Sequence, residues 1–216
     1  MEKWNEYTSY EALSELGVEP AMIGEVLGAG SQTLAISPDS DYEYEMGLNN
    51  PVLIITKEKE KEVVQKAILG DKVKKLDSKK LRDGATFDFL KSEGWNAFYV
   101  EEMKQVNLHP SSSIVKAFSK FTDNNRSNKF TVKSDFSFIE GEIKKLISEF
   151  KQIRIVEESA EDLLTEKLII AVKNALTGIS KLELTKEFKL DLHAGQFVQY
   201  GEEIYCIDPV FFNFKK

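Results

Sequence analysis

Apolar residues recur at a strand-like spacing through the first hundred positions and at a helical spacing in the second half, and neither an all-helix nor an all-strand fold accommodates both. In IGEVLGAGSQTLAIS, residues 23–37, the strand formers Val26, Leu34 and Ile36 surround Gly28 and Gly30, which predicts strand, glycine turn, strand. PVLIIT, residues 51–56, is a short continuous apolar run suited to a buried strand. Residues 57–69 then place Val63, Val64, Ala67 and Ile68 at helical spacing among charges, with Gly70 as a stop. NAFYVEEM, residues 96–103, is strand-like again, and a short helical pattern at residues 10–16 stops at Gly17. The first hundred residues therefore read as mostly strands with one helix after this short start.

Beyond them, residues 108–133 are rich in Ser, Asn and Lys and predict a linker or surface excursion. Lys116, Lys120, Arg126, Lys129 and Lys133 make this stretch locally basic, as a mobile segment for partner contact would be. Residues 138–150 and 158–176 read as helices. In the second, Leu163, Leu164, Lys167, Leu168, Ala171, Val172 and Leu176 fall on adjacent turns, with Gly178 placed as a C-terminal cap. The final segment, residues 190–212, alternates into a hairpin that turns at 200–203. The expectation is an α+β chain with a strand-rich part at 1–102 and a mainly helical part at 103–216.

The chain has 216 residues, 42% of them hydrophobic and 30% charged, which supports a sizeable core and excludes wholesale disorder. Its longest apolar stretches fall far short of the roughly 20 residues that span a bilayer. Residues 1–10 lack a basic start followed by an apolar run, so no membrane association and no export are expected. The single cysteine, Cys206, makes no internal disulfide, and two histidines without partner cysteines form no ordinary zinc framework. A reducing, cytoplasmic setting follows. A net charge of −7 argues against a dedicated nucleic-acid binder.

The last hairpin carries the densest chemistry. Asp191 opens a loop, Gln196 follows five residues on, and Asp208 closes the second strand seventeen residues after Asp191. Two carboxylates and an amide at strand ends suit magnesium-dependent phosphoryl transfer, although aspartates beside turns and strand ends also occur for structural reasons alone. His193 reads as a support residue that hydrogen-bonds within the loop, and Cys206 as core.

The letters DLHAGQ followed by IDP resemble the catalytic and metal-binding loops of eukaryotic-like protein kinases and aminoglycoside phosphotransferases, most closely those of podophage early serine/threonine kinases with a DxHxGN and DPV pattern. The order of the earlier segments agrees, LGAGSQTLAIS resembling a glycine-rich loop and PVLIIT the third strand of a small lobe. The resemblance implies a compact two-lobed kinase-like fold with a truncated helical lobe. It also implies ATP and Mg2+ as cofactors and a host protein as substrate in the bacterial cytoplasm. It makes Asp191 the catalytic aspartate, Asp208 and Gln196 the metal ligands, and Gly28, Gly30 and Ser31 nucleotide-binding residues, with Lys57 a weak substitute for the family's phosphate-binding lysine. Gln196 stands where the family has Asn, and Ile54 where it has the phosphate-binding lysine. Lys57 lies three residues after Ile54, on the opposite face unless the strand bulges. Only eight residues follow Asp208, too few for an activation segment. The rival expectations are an inactive pseudokinase that binds a host protein, and a kinase-fold nucleotidyl transferase.

Overall fold

A computed structural model describes residues 8–30, 32–38, 50–81, 84–109, 112–125, 161–182 and 187–212, together with the single positions 141, 144, 145 and 148. Helices and antiparallel sheets are mixed, so the chain is α+β. It divides into two units, Met1–Lys66 with Gly70–Glu102, and Ala67–Leu69 with Met103–Lys216. Among the described residues no helix is long and apolar enough to cross a membrane.

The first unit opens with helix α1 (Ser9–Glu15). Thr8 caps it reciprocally: its side chain accepts from the Glu11 N–H, and the Glu11 carboxylate accepts from the Thr8 N–H. Strands β1 (Gly24–Ala29), β2 (Thr33–Pro38) and β3 (Pro51–Thr56) form a meander, followed by helix α2 (Lys59–Leu69), strand β4 (Val73–Lys75), helix α3 (Gly84–Ser92) and strand β5 (Asn96–Glu101). The five strands make one sheet in the order β1-β2-β3-β5-β4. Strand alternation puts Leu34, Ile36, Leu53 and Ile55 on one face, where they pack with Leu13 from α1, Phe87 and Leu90 from α3, and Trp95. Ile54, between two of these, lies half-buried on the other face.

Two elements of this unit depart from the expectation of strands with one helix. Helix α3 buries only Gly84, Phe87 and Leu90, a stripe too narrow to read as periodic. Strand β4 contributes a single apolar residue, Val73, and owes its conformation to pairing with β5, with Val73 opposite Val100.

In the second unit, β6 (Lys104–Gln105), β8 (Phe197–Tyr200) and β9 (Glu203–Cys206) form a three-stranded sheet, while β7 (Phe188–Leu190) pairs separately with β10 (Val210–Phe212). The hairpin expected across residues 190–212 is thus the β8–β9 pair turning at Gly201, which takes a φ of 60°. Its flanks form the β7–β10 ladder.

Two longer helices of this unit lie within the described residues. Helix α4 (Ser113–Asn125) stands where a linker was expected. The Ser112 hydroxyl accepts from the Val115 N–H at its start, and Ile114, Ala117, Phe118 and Phe121 form a buried stripe at i, i+3, i+4 and i+7. The polar composition belongs to its outer face, where Lys116 and Lys120 are exposed. Residues 126–133 of the basic stretch and nearly all of the helix expected at 138–150 lie outside the described residues. Helix α5 (Glu161–Ser180) buries Leu168, Ala171, Val172, Ala175, Leu176 and Ile179 along one face. Gly178 is interior to this helix rather than its cap. A Cβ there would stand 2.7 Å from the Ala67 carbonyl oxygen, so the glycine permits close backbone packing.

Candidate functional site

The β7–β10 ladder pairs Leu190 with Val210, so the chain leaves β7 at Asp191 just where Asp208 and Pro209 lead into β10. The Asp191 N–H donates to the Pro209 carbonyl over 2.9 Å, which ties the two aspartate-bearing segments together. Both aspartates are half-buried. Their charges also bear on a common neighbour, Cys206. Burial chiefly pushes its thiol far above the usual cysteine range; Asp208 and then Asp191 push it further, and a hydrogen bond with the Asp208 backbone opposes them. The expectation that Cys206 is a core residue holds, since it is fully buried.

Between the aspartates the loop is organised by short-range bonds. The His193 Nδ1 accepts from the Gly195 N–H at 3.2 Å, and the His193 N–H donates to the Gln196 Oε1 at 3.4 Å. His193 therefore does support the loop. Gln196 is buried, and its amide oxygen is turned to the loop's own backbone. Its main-chain oxygen accepts from the Ile207 N–H at 2.9 Å, bringing the neighbour of Asp208 alongside.

Two residues of α4 brace this loop. Phe118 stacks on Phe197 with ring centroids 5.0 Å apart, and the Thr122 hydroxyl meets the backbone of Leu192. Neither residue was a site candidate from sequence. The i, i+3, i+4, i+7 stripe of α4 was the signal that would have placed both on a helix.

The remaining candidates lie in the first unit. The Gly30 N–H donates to the Thr33 carbonyl at 2.8 Å, closing the glycine turn. Ser9 at the start of α1 secures it from outside, its N–H donating to the Gly30 oxygen and its hydroxyl to the Thr33 oxygen. A Cβ at Gly28 would meet nothing within 4 Å, so its surroundings are open. Ser31 lies outside the described residues. Strand β3 pairs in unbroken register with β5 from Pro51 to Thr56, without the bulge that would shift Lys57 onto the face of Ile54. Instead the Lys57 ammonium stands 4.8 Å from the ring centroid of Trp95, a member of the Leu53 and Ile55 core. Glu62 of α2 accepts from the Asn96 amide at 3.0 Å.

Among the described residues no three of His, Cys, Asp and Glu converge as a resident metal site. Magnesium that keeps most of its waters and arrives with phosphate oxygens needs only one or two protein carboxylates, and Asp191 and Asp208 stand on the two backbone segments that are tied together here. No protein-family model, no curated protein and no solved structure matches this chain.

Proposed function

We propose that this chain is a kinase-like phosphotransferase that uses ATP and magnesium to modify a protein hydroxyl. The observation that carries this reading is the pairing of Asp191 and Asp208 at adjoining strand ends, through the bond from the Asp191 N–H to the Pro209 carbonyl. In this reading Asp191 accepts the proton of the substrate hydroxyl and aims its oxygen at the γ-phosphorus. The new O–P bond forms as the bond to the bridging oxygen of ADP breaks, and the proton leaves through Asp191 to solvent. Asp208 is the metal ligand, with the bound ion supplying charge neutralisation at the phosphates. Gly28 offers the open backbone that a phosphate needs. By the same resemblance the substrate is a host protein and the chain a phage product acting in the bacterial cytoplasm.

Calorimetry with ATP and magnesium, paired with radiolabel transfer to co-expressed proteins, tests the assignment. Asp208→Asn should abolish metal-dependent nucleotide binding. Asp191→Asn should leave binding intact and slow turnover by about 10²-fold to 10⁴-fold. Equal loss of binding in both variants would sink the division of roles.

The position of Lys57 over Trp95 favours a second reading, a kinase-shaped binding module without catalysis. If wild type and Asp191→Asn label nothing but capture the same host protein, that reading replaces the first.

A further inference from the structure

Leu192 follows Asp191 outside the β7 ladder, and its side chain is buried, so its backbone N–H and C=O need partners other than a neighbouring strand. One hydroxyl supplies both. The Thr122 Oγ1 accepts from the Leu192 N–H at 2.9 Å and donates to the Leu192 carbonyl at 3.0 Å. The N–H of Leu192 belongs to the peptide plane on the C-terminal side of Asp191. The plane on its N-terminal side is held by the bond from the Asp191 N–H to Pro209. With both flanking planes held, the backbone torsions of Asp191 are restricted, and so is the direction of its Cα–Cβ bond. Four residues earlier on the same helix, Phe118 grips the far end of the loop at Phe197.

We propose that Thr122 is the positioning residue for the Asp191 carboxylate. The proposal rests on the phosphotransferase reading for its catalytic consequence, but not for its geometry. Val matches Thr in shape and lacks the hydroxyl, whereas Ser retains it, so the two substitutions separate packing from hydrogen bonding.

The test compares wild type, Thr122→Val and Thr122→Ser by turnover and by native-state amide hydrogen exchange. In Thr122→Val, kcat should fall about tenfold to 100-fold while KM for magnesium ATP stays within about twofold, because misplacing a reacting group slows the chemical step more than it weakens binding. Thr122→Ser should recover most of the rate. An unchanged kcat, a rise in KM alone, or no recovery in Thr122→Ser would overturn the proposal.

If wild type transfers no phosphate, the phosphotransferase reading fails and exchange alone decides the positioning role. Support would be exchange at least about tenfold faster in Thr122→Val at the amides of Asp191 and Ile207, which bond to Pro209 and Gln196, with the five-stranded sheet unaffected. Acceleration confined to Leu192, or shared equally by the sheet, would overturn it.

Discussion

The glycine turn of the first unit and the aspartate loop of the second both connect strands, yet they are held in different ways. The glycine turn is closed by its own backbone bond, is held from outside by Ser9, and rises from a sheet in which β3 alone matches six residues of β5. The aspartate loop lies between short ladders, three residue pairs in β7–β10 and four in β8–β9, and takes its bracing from α4. A long register spreads the support of a turn over many bonds. A loop between short ladders depends on individual side chains, and this is where a single substitution can alter geometry without unfolding the rest.

The largest expected effect comes from removing the stack behind the loop. Phe118 is fully buried, so Phe118→Ala should cost about 3–5 kcal/mol in urea unfolding. Amide exchange should loosen first around Leu192. The contrast would break if Leu53→Ala, a comparable excavation in the first unit, loosened the Gly30 amide as much as Phe118→Ala loosens that of Leu192.

A smaller effect separates two glycines of β1. A Cβ at Gly24 would clash with the Ser37 carbonyl oxygen, a backbone atom of the paired strand. Gly24→Ala should therefore lower stability by about 1–3 kcal/mol, and a neutral result would mean that the β1–β2 ladder is softer than its register implies.

Smaller still near neutrality is a pH effect in the second unit. The Cys206 thiol ionises at about 9.0 when unfolded, and burial and the nearby aspartates raise that value in the folded chain. Above pH 9.0 the unfolded state has lost a proton that the native state keeps, so stability falls with rising pH. The thiol's contribution should favour unfolding by up to about tenfold per pH unit. Urea titrations of wild type and Cys206→Ala at pH 8 to about 10.5 should differ in this slope. Identical slopes would mean that burial does not hold the Cys206 thiol protonated in the folded chain.

The smallest effect is expected at Gly28, where Gly28→Ala has open space and should change stability by less than about 0.5 kcal/mol. A marked loss of nucleotide affinity in the same variant would make Gly28 a ligand contact, and unchanged affinity would leave the turn purely structural.

The sequence by itself determined the elements whose periods are local. The strands around the glycine turn, β3, α2 with its stop at Gly70, β5 and the final hairpin all follow from side-chain alternation or helical spacing within a dozen residues. It also singled out Asp191 and Asp208 by their letters. Tertiary structure decided what those letters meet. Helix α4 was hidden by the polar composition of its outer face, although its apolar stripe was present. The β7–β10 ladder is only three residues long and gains its strand form by pairing. The hydroxyl of Thr122 bonds Leu192 across a separation of 70 residues, which no local pattern encodes. Lys57 was already predicted to lie opposite Ile54, but the choice between a bulge and that alternation needed the register with β5. Local spacing dictates which face a side chain occupies, whereas hydrogen-bond partners depend on which distant backbone the fold brings alongside.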